Sequence, residues 1–562
     1  MRVVQIIESR VLPRILGSLF LPLILSGFGS LFLVPERGFA GSPLPDTPLS
    51  ATITVSASTP VRQIPRELFG TNIEWTWDSW GLWSEATQQV NPTILNLSRD
   101  LGVTVLRFPG GQFADYYRWK DGVGPHSARP LSLHQASTGD KSRPNFGTDE
   151  ALAFADQLGA ELLITVNAGT GTAQEAADWV RYVNATKLRV RYWEVGNELY
   201  INDGSVDSRI LTIPPATYAA RFLEFAQAMR AADPRIKIGA IGGHNQGRYQ
   251  VVSYPDWNRI VLTQAASQID FLSVHNAYAP VIFDDSMDAR SVYKAMFAFP
   301  ELLARNLKSL AEDIALYAPA RAPAIPIAVT EWGPLFQVDT AGKFVDHNKT
   351  LSSALYSASV FKTFLESPST QMANFHALHD LSIMGWIGNL DPRFPPNPQW
   401  APTARYYAFQ MFRRHFGDTL VQSSCTGAAY DSPAVGWVDA VQGVPYLDVV
   451  ASASLDGKQL YVLAINKSFD NSVQSTIAIN GFRPAATGVS WTLSGTGIDV
   501  NTGTAPLQLP GVVWAKQTED SINPGFYNGQ VTLTSSAVAS VEEQFSYRFP
   551  PHSVTSIVLT RQ

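Results

Sequence analysis

Two glutamates, Glu198 and Glu331, close the apolar runs Tyr192-Trp-Glu-Val-Gly-Asn-Glu198 and Ile327-Ala-Val-Thr-Glu331-Trp332. Each run has the length and composition of a buried parallel strand. Two carboxylates at strand ends suit a reaction that needs one proton donor and one nucleophile, the pair used in retaining glycoside hydrolysis. A proton donor needs a carboxyl group whose pKa is raised by burial or by a nearby anion, and Glu198 is assigned that part. Asn197 beside it can hydrogen-bond a sugar hydroxyl next to the reacting carbon. Glu331, as nucleophile, must stay ionised, which calls for a cationic or hydrogen-bonding neighbour. Arg107, at the end of an earlier run, is one candidate. It could equally form a structural ion pair with Glu194, which strand alternation points into the barrel.

Other strand-end residues could serve the same reaction. Glu74 follows Leu68-Phe-Gly-Thr-Asn-Ile73 and reads either as a ligand for a substrate hydroxyl or as a plain rim carboxylate. His275 and Tyr278 follow another run, where a tyrosine could hydrogen-bond the nucleophile, although a lone His or Tyr there is usually structural. His376, His379 and Asp380 resemble a metal site only weakly, so no metal and no cofactor are expected. Phe108-Pro-Gly-Gly-Gln112 is a tight turn whose two glycines let backbone approach a ligand closely. It lacks a following Lys-Ser/Thr and is no phosphate cradle.

Positioning these residues requires a long alternation of strands and helices. The apolar runs are Leu68–Ile73, Val103–Phe108, Leu162–Asn167, Tyr192–Asn197, Ile236–Ile241, Phe271–His275, Ile325–Thr330 and Met372–Leu378. Helical patterns fall between them, the clearest at Thr217–Ala231 with Tyr218, Phe222, Phe225 and Met229 on one stripe. Eight strands separated by helices predict an α/β fold, a (β/α)₈ TIM barrel over residues 60–418. A doubly wound open sheet is the competitor, disfavoured because no Gly-rich phosphate loop follows the first strand. Residues 419–562 change to short alternating strands and predict a C-terminal all-β sandwich. Its best local signal is Asp456-Gly457 between two alternating runs, which suits a type I′ hairpin. Ala51–Val55 also alternates, and residues 51–59 are expected to join that sandwich.

Composition narrows the partners. A net charge of −6 and 16% charged residues offer no basic stripe for nucleic acid. Aromatics at 11% suit carbohydrate stacking, although a large core accounts for many of them. Arg2, Arg10 and Arg14, an uncharged stretch from Ile15 to Val34 and Gly38-Phe-Ala40 read as a secretory signal over residues 1–40, with a linker over 41–50. The apolar stretch is long enough for an uncleaved membrane anchor, the alternative. The expectation is a secreted or periplasmic protein without membrane attachment after cleavage. Cys425 is the only cysteine, which excludes an intrachain disulfide. Self-association into a homo-oligomer is left open.

Beyond these readings, Leu106-Arg-Phe-Pro-Gly-Gly-Gln-Phe-Ala-Asp-Tyr-Tyr-Arg-Trp-Lys-Asp-Gly-Val-Gly-Pro125 resembles the most distinctive stretch of the α-L-arabinofuranosidases of glycoside hydrolase family 51, retaining enzymes of clan A. The similarity extends to Phe69–Glu74, Tyr192–Glu198 and Ala401–Phe409. The resemblance implies Glu198 as acid/base and Glu331 as nucleophile. It also implies that Glu74 and Asn197 contact the sugar, that Arg107 supports the nucleophile and that Tyr278 hydrogen-bonds it. Gln112, His275 and Trp332 are further substrate-binding candidates. The family usually has Asn where Gln112 stands, Asp-Glu-Trp-Asn in place of Thr330-Glu-Trp-Gly333, and Met-Asp-Gly in place of Leu199-Tyr-Ile. These departures keep other clan A activities in view: β-xylosidase, β-glucuronidase and endoglycanase. A non-catalytic carbohydrate-binding barrel is the reading from another class, countered by the presence of both glutamates. The resemblance therefore implies an exo-acting arabinofuranosidase with a carbohydrate substrate.

Overall fold

The described chain opens with β1 (Leu49–Gln63), in which Ala51, Ile53 and Val55 alternate inward and are buried. The computed structural model describes residues 47–73, 81–84, 86–133, 139, 141–185, 190–244, 252–337, 343–380, 384–389, 400–500 and 531–562. The expected signal over 1–40, most of the linker, and Glu74 lie outside the described residues. Leu49 and Ser50, read as linker, already belong to β1, which continues past residue 59 to Gln63.

The apolar runs form parallel strands: β2 (Gly70–Asn72), β3 (Val105–Phe108), β4 (Glu161–Val166), β5 (Tyr192–Val195), β6 (Lys237–Ile241) and β7 (Phe271–Val274). They continue with β8 (Ala277–Ile282), β9 (Ile327–Gln337) and β10 (Thr370–Phe375). Strand β7 pairs with β9 and β10 pairs with β2, so the ring closes with eight parallel strands. Closure excludes the doubly wound sheet. Helices cover the outside; on Pro215–Ala232 the stripe Tyr218, Phe222, Phe225 and Met229 is buried. No helix among the described residues is long and apolar enough to cross a membrane.

Two departures from regular strand geometry shape the rim of the barrel. Strand β8 runs beside the C-terminal half of β9, so a two-stranded ribbon rises from the rim. Between Val329 and Trp332, β9 carries one residue more than β10 opposite it, a bulge at Thr330-Glu331.

The C-terminal strands are β11 (Thr419–Gly427), β12 (Leu447–Ala453), β13 (Gln459–Asn466), β14 (Val473–Asn480), β15 (Pro484–Gly495), β16 (Val531–Ala539), β17 (Gln544–Phe549) and β18 (Ser553–Arg561). They form one ladder, in order β16-β15-β18-β13-β12-β11-β1-β14-β17. Both ends contribute to one buried cluster, with Val538 and Phe545 joining Ile53, Leu460 and Leu559, so the all-β region encloses its own core. β1 lies antiparallel to β11 and parallel to β14, with Ile53 opposite Cys425 and Ile477. The β12–β13 hairpin forms, but its turn is not the two-residue type I′ expected. Only Gly457 has positive φ (66°), and its N–H donates to the Ser454 carbonyl at 2.9 Å, so a longer loop closes the pair.

Candidate active site

Parallel barrel strands end on one face, and the ends of β3, β5, β7, β9 and β10 converge there. At its centre Arg107, fully buried, donates from Nε to Glu194 at 2.8 Å, from Nη1 to Glu331 at 2.7 Å and from Nη2 to Asn197 Oδ1 at 2.7 Å. Both readings of Arg107 therefore hold at once: it pairs structurally with Glu194 and supports Glu331. Burial works against its charge, but the two carboxylates outweigh burial and raise its pKa. Glu194 also accepts from Thr165 at 2.7 Å, from Thr330 at 3.0 Å and from Ser273. Burial opposes its ionisation, yet Arg107 and these donors hold its pKa below the ordinary value.

Glu331 accepts from Arg107 on one oxygen and from the Tyr278 hydroxyl, at 3.0 Å, on the other. Burial would raise its pKa, but the charges of His275, Arg107 and His376 and the Arg107 hydrogen bond pull it down to about 2. His275 Nδ1 lies 2.7 Å from Glu198 Oε1 and 3.6 Å from Glu331 Oε2. Its Nε2 lies 3.0 Å from Thr330 Oγ1. Burial lowers the imidazole pKa, and the two glutamates reverse that to a net increase. One oxygen of Glu198, one of Glu331 and a ring nitrogen of His275 all lie within 4.8 Å of one another. These donors could hold a cation by type and spacing, but Glu331 already faces the Arg107 guanidinium, which it shares with Glu194, so the set fits proton transfer better than metal binding.

Adjacent residues point the same way here, which strand alternation forbids unless the backbone departs from it. At the bulge Thr330 and Glu331 both face inward. At the end of β5, Gly196 (φ 79°) and Glu198 (φ 50°) adopt left-handed conformations, so Asn197 and Glu198 both reach the site. Asn197 Nδ2 and Glu198 Oε2 are buried without a hydrogen-bond partner.

Of the other candidates, Gln112 is buried in a short 3₁₀ turn, Gln112–Asp115, that follows two positive-φ glycines, Gly110 and Gly111. Trp332 is corrected. The residue after an inward Glu331 points outward, and its indole is fully buried against Phe361 and Phe364 of helix Leu351–Glu366 and against Phe375 and Trp386. It is core, not a substrate contact. His376 does not gather with His379 as a metal set: its Nδ1 lies 2.8 Å from the Tyr278 hydroxyl, whereas His379 packs on Trp400.

Sequence reading passed over Asp115. This fully buried carboxylate accepts from the backbone N–H groups of Ala168 (3.0 Å), Gly169 (2.7 Å) and Asn197 (2.8 Å). Burial pushes its pKa up to about 7 against the pull of those donors. His244, after β6, is half-buried, and desolvation of its ring with the nearby His275 charge lowers its pKa to about 3. Neither residue stands in a recognisable catalytic pattern, and only the fold brings them here.

Comparison with known proteins points in one direction. Residues 97–278 match the family model of the Alpha-L-arabinofuranosidase 1 domain. A probable alpha-L-arabinofuranosidase C of Aspergillus terreus is 26% identical over 408 residues, 68% of this chain and 77% of that protein. An intracellular exo-alpha-L-arabinofuranosidase of Bacteroides ovatus is 30% identical over 250 residues, 40% of this chain and 46% of that protein. Among solved structures, the GH51 alpha-L-arabinofuranosidase of Thermotoga petrophila superposes with a TM-score of 0.73 at 24% identity, covering 91% of this chain and all (100%) of that one.

Proposed function

We propose, for a chain that belongs with the α-L-arabinofuranosidases of glycoside hydrolase family 51, an exo-acting hydrolase that releases terminal arabinofuranose by double displacement. The observation that carries this reading is the approach of one Glu198 oxygen and one Glu331 oxygen to within 4.8 Å, the range of retaining rather than inverting carboxylate pairs. Glu331, kept ionised by Arg107, Tyr278 and His275, attacks the anomeric carbon. Glu198, through the oxygen that has no protein partner, protonates the departing oxygen. Asn197 Nδ2, anchored by Arg107 on the opposite atom of its amide, donates to the neighbouring sugar hydroxyl. Glu198 then deprotonates the water that frees the sugar. The arginine-flanked apolar N-terminus supports export to the periplasm or medium, and the mass and N-terminus of the mature protein test it. Arabinose-bearing plant polysaccharides or oligosaccharides suit an exported enzyme of this kind.

The deciding experiment uses nitrophenyl glycosides and two variants. The wild type is expected to hydrolyse the α-L-arabinofuranoside in preference to the β-xyloside, β-glucuronide and β-glucoside; preference for another sugar would move the substrate and leave the mechanism. Glu331→Ala abolishes both steps, because no covalent intermediate forms without its carboxylate. Glu198→Ala spares activated aryl leaving groups, accumulates glycosyl-enzyme and is accelerated by azide with a retained product. Wild-type activity in either variant would show that the wrong carboxylate had been chosen.

A further inference from the structure

We propose that Asp115 is a positioning residue for this reaction, holding the Asn197 peptide so that Glu198 presents its carboxyl group to the leaving oxygen. The inference rests on the hydrolytic reading above and goes beyond it to a group that touches no substrate. Both oxygens of Asp115 are committed to backbone: Oδ1 to Ala168 and Gly169, Oδ2 to Asn197. These donors belong to two separate strand ends, those of β4 and β5, so a single carboxylate ties the two together. The tie falls at the one place where β5 leaves strand geometry. Gly196 turns left-handed before it, and Glu198, a residue type that rarely adopts positive φ, does so after it. Such a conformation persists only where its surroundings over-determine it. Asn197 is fixed at both ends, its amide N–H by Asp115 and its side chain by Arg107. Glu198 is fixed by His275 on one oxygen alone. Without the Asp115 bond, the peptide that aims Glu198 is free to rotate back toward an ordinary strand.

The test is Asp115→Asn, which keeps the shape but turns an N–H toward donors, with Asp115→Ser as the second variant. Each is assayed on an alkyl glycoside, whose leaving group needs protonation, and on a dinitrophenyl glycoside, whose leaving group does not. Rates are normalised to active sites counted by burst titration. The expected result is a loss in kcat/KM on the alkyl substrate roughly 10- to 100-fold larger than on the aryl one, the scale of a small misplacement of a catalytic group. Equal losses on both substrates, unchanged rates, or failure of both variants to fold would assign Asp115 to folding alone and overturn the proposal. The sugar is whichever one the wild type hydrolyses, so a wrong sugar in the functional reading leaves this comparison intact, whereas an inactive wild type rejects that reading itself.

Discussion

At the residue scale, the site is a problem in keeping the buried Glu331 charged beside a second buried carboxylate, Glu194. Arg107, His275, His376 and the Tyr278 hydroxyl do it, and each can be removed separately. Tyr278→Phe deletes a hydrogen bond to a charged oxygen, about 1.5–3 kcal/mol for such a bond. A fall in kcat of roughly 10- to 100-fold, together with a drop of about a few degrees in melting temperature, is therefore expected from steady-state kinetics and calorimetry. His275 acts through charge. Its pKa is raised in the folded protein, so the stability it contributes is fully present below the unfolded value of 6.5 and is lost as pH rises through the folded value. Glu331 has the opposite sign: held down to about 2, its contribution is present above the ordinary value of 4.5 and lost as pH falls toward 2. His275→Gln should flatten the alkaline decline in melting temperature and also soften the acid decline. The imidazole is the largest of the charges that hold Glu331 down, and Arg107 and His376 keep only part of that shift. An unchanged alkaline slope would mean that His275 is neutral in the folded state.

The element scale shows what sequence could and could not reveal. Eight apolar runs, Glu198, Glu331 and Arg107 were legible because burial on both strand faces leaves a plain compositional trace. Asp115 left none, since a carboxylate that serves backbone amides looks like any loop aspartate until those amides are placed. Trp332 was misread because its position next to Glu331 suggested the site, while alternation turned it to the helices. Thr330 faces inward only through the bulge, which periodicity does not announce. The C-terminal ladder depends on a strand from the other end of the chain, and that dependence is testable. Ile53 on β1 is fully buried between β11 and β14. Ile53→Ala should cost about 2–5 kcal/mol through the cavity it leaves. Denaturant titration should show a lower midpoint, and activity per folded molecule should be unchanged, because β1 touches none of the catalytic groups.

At the scale of the whole molecule, the barrel and the all-β region share a seam of directional contacts. Arg62, at the end of β1, donates to the carbonyls of Ser367 (2.5 Å) and Thr370 (3.1 Å) beside β10. Leu351 and Ser352, at the start of a barrel helix, donate to the carbonyls of Val500 (2.8 Å) and Ile498 (2.9 Å). Within the seam Asp448 on β12 pairs with Lys467 at 3.0 Å, both buried, and the charge of Lys362 on the barrel helix adds to the field. Burial opposes ionisation of Asp448, but the two lysines outweigh it and hold its pKa below the ordinary value. Taking two charges out of water is expensive, so such a pair adds little net stability, yet breaking it strands one charge at about 3–5 kcal/mol. Asp448→Asn should therefore lower the melting temperature sharply, and the loss should reach the barrel as well as the sheet. Activity and the near-ultraviolet signal of the sheet should be lost in one transition. Replacing both partners, Asp448→Leu with Lys467→Met, should restore most of the stability, because no unpaired charge remains. If the single variant melts in two separate steps, with activity surviving the first, the seam does not couple the two regions and they unfold as independent bodies.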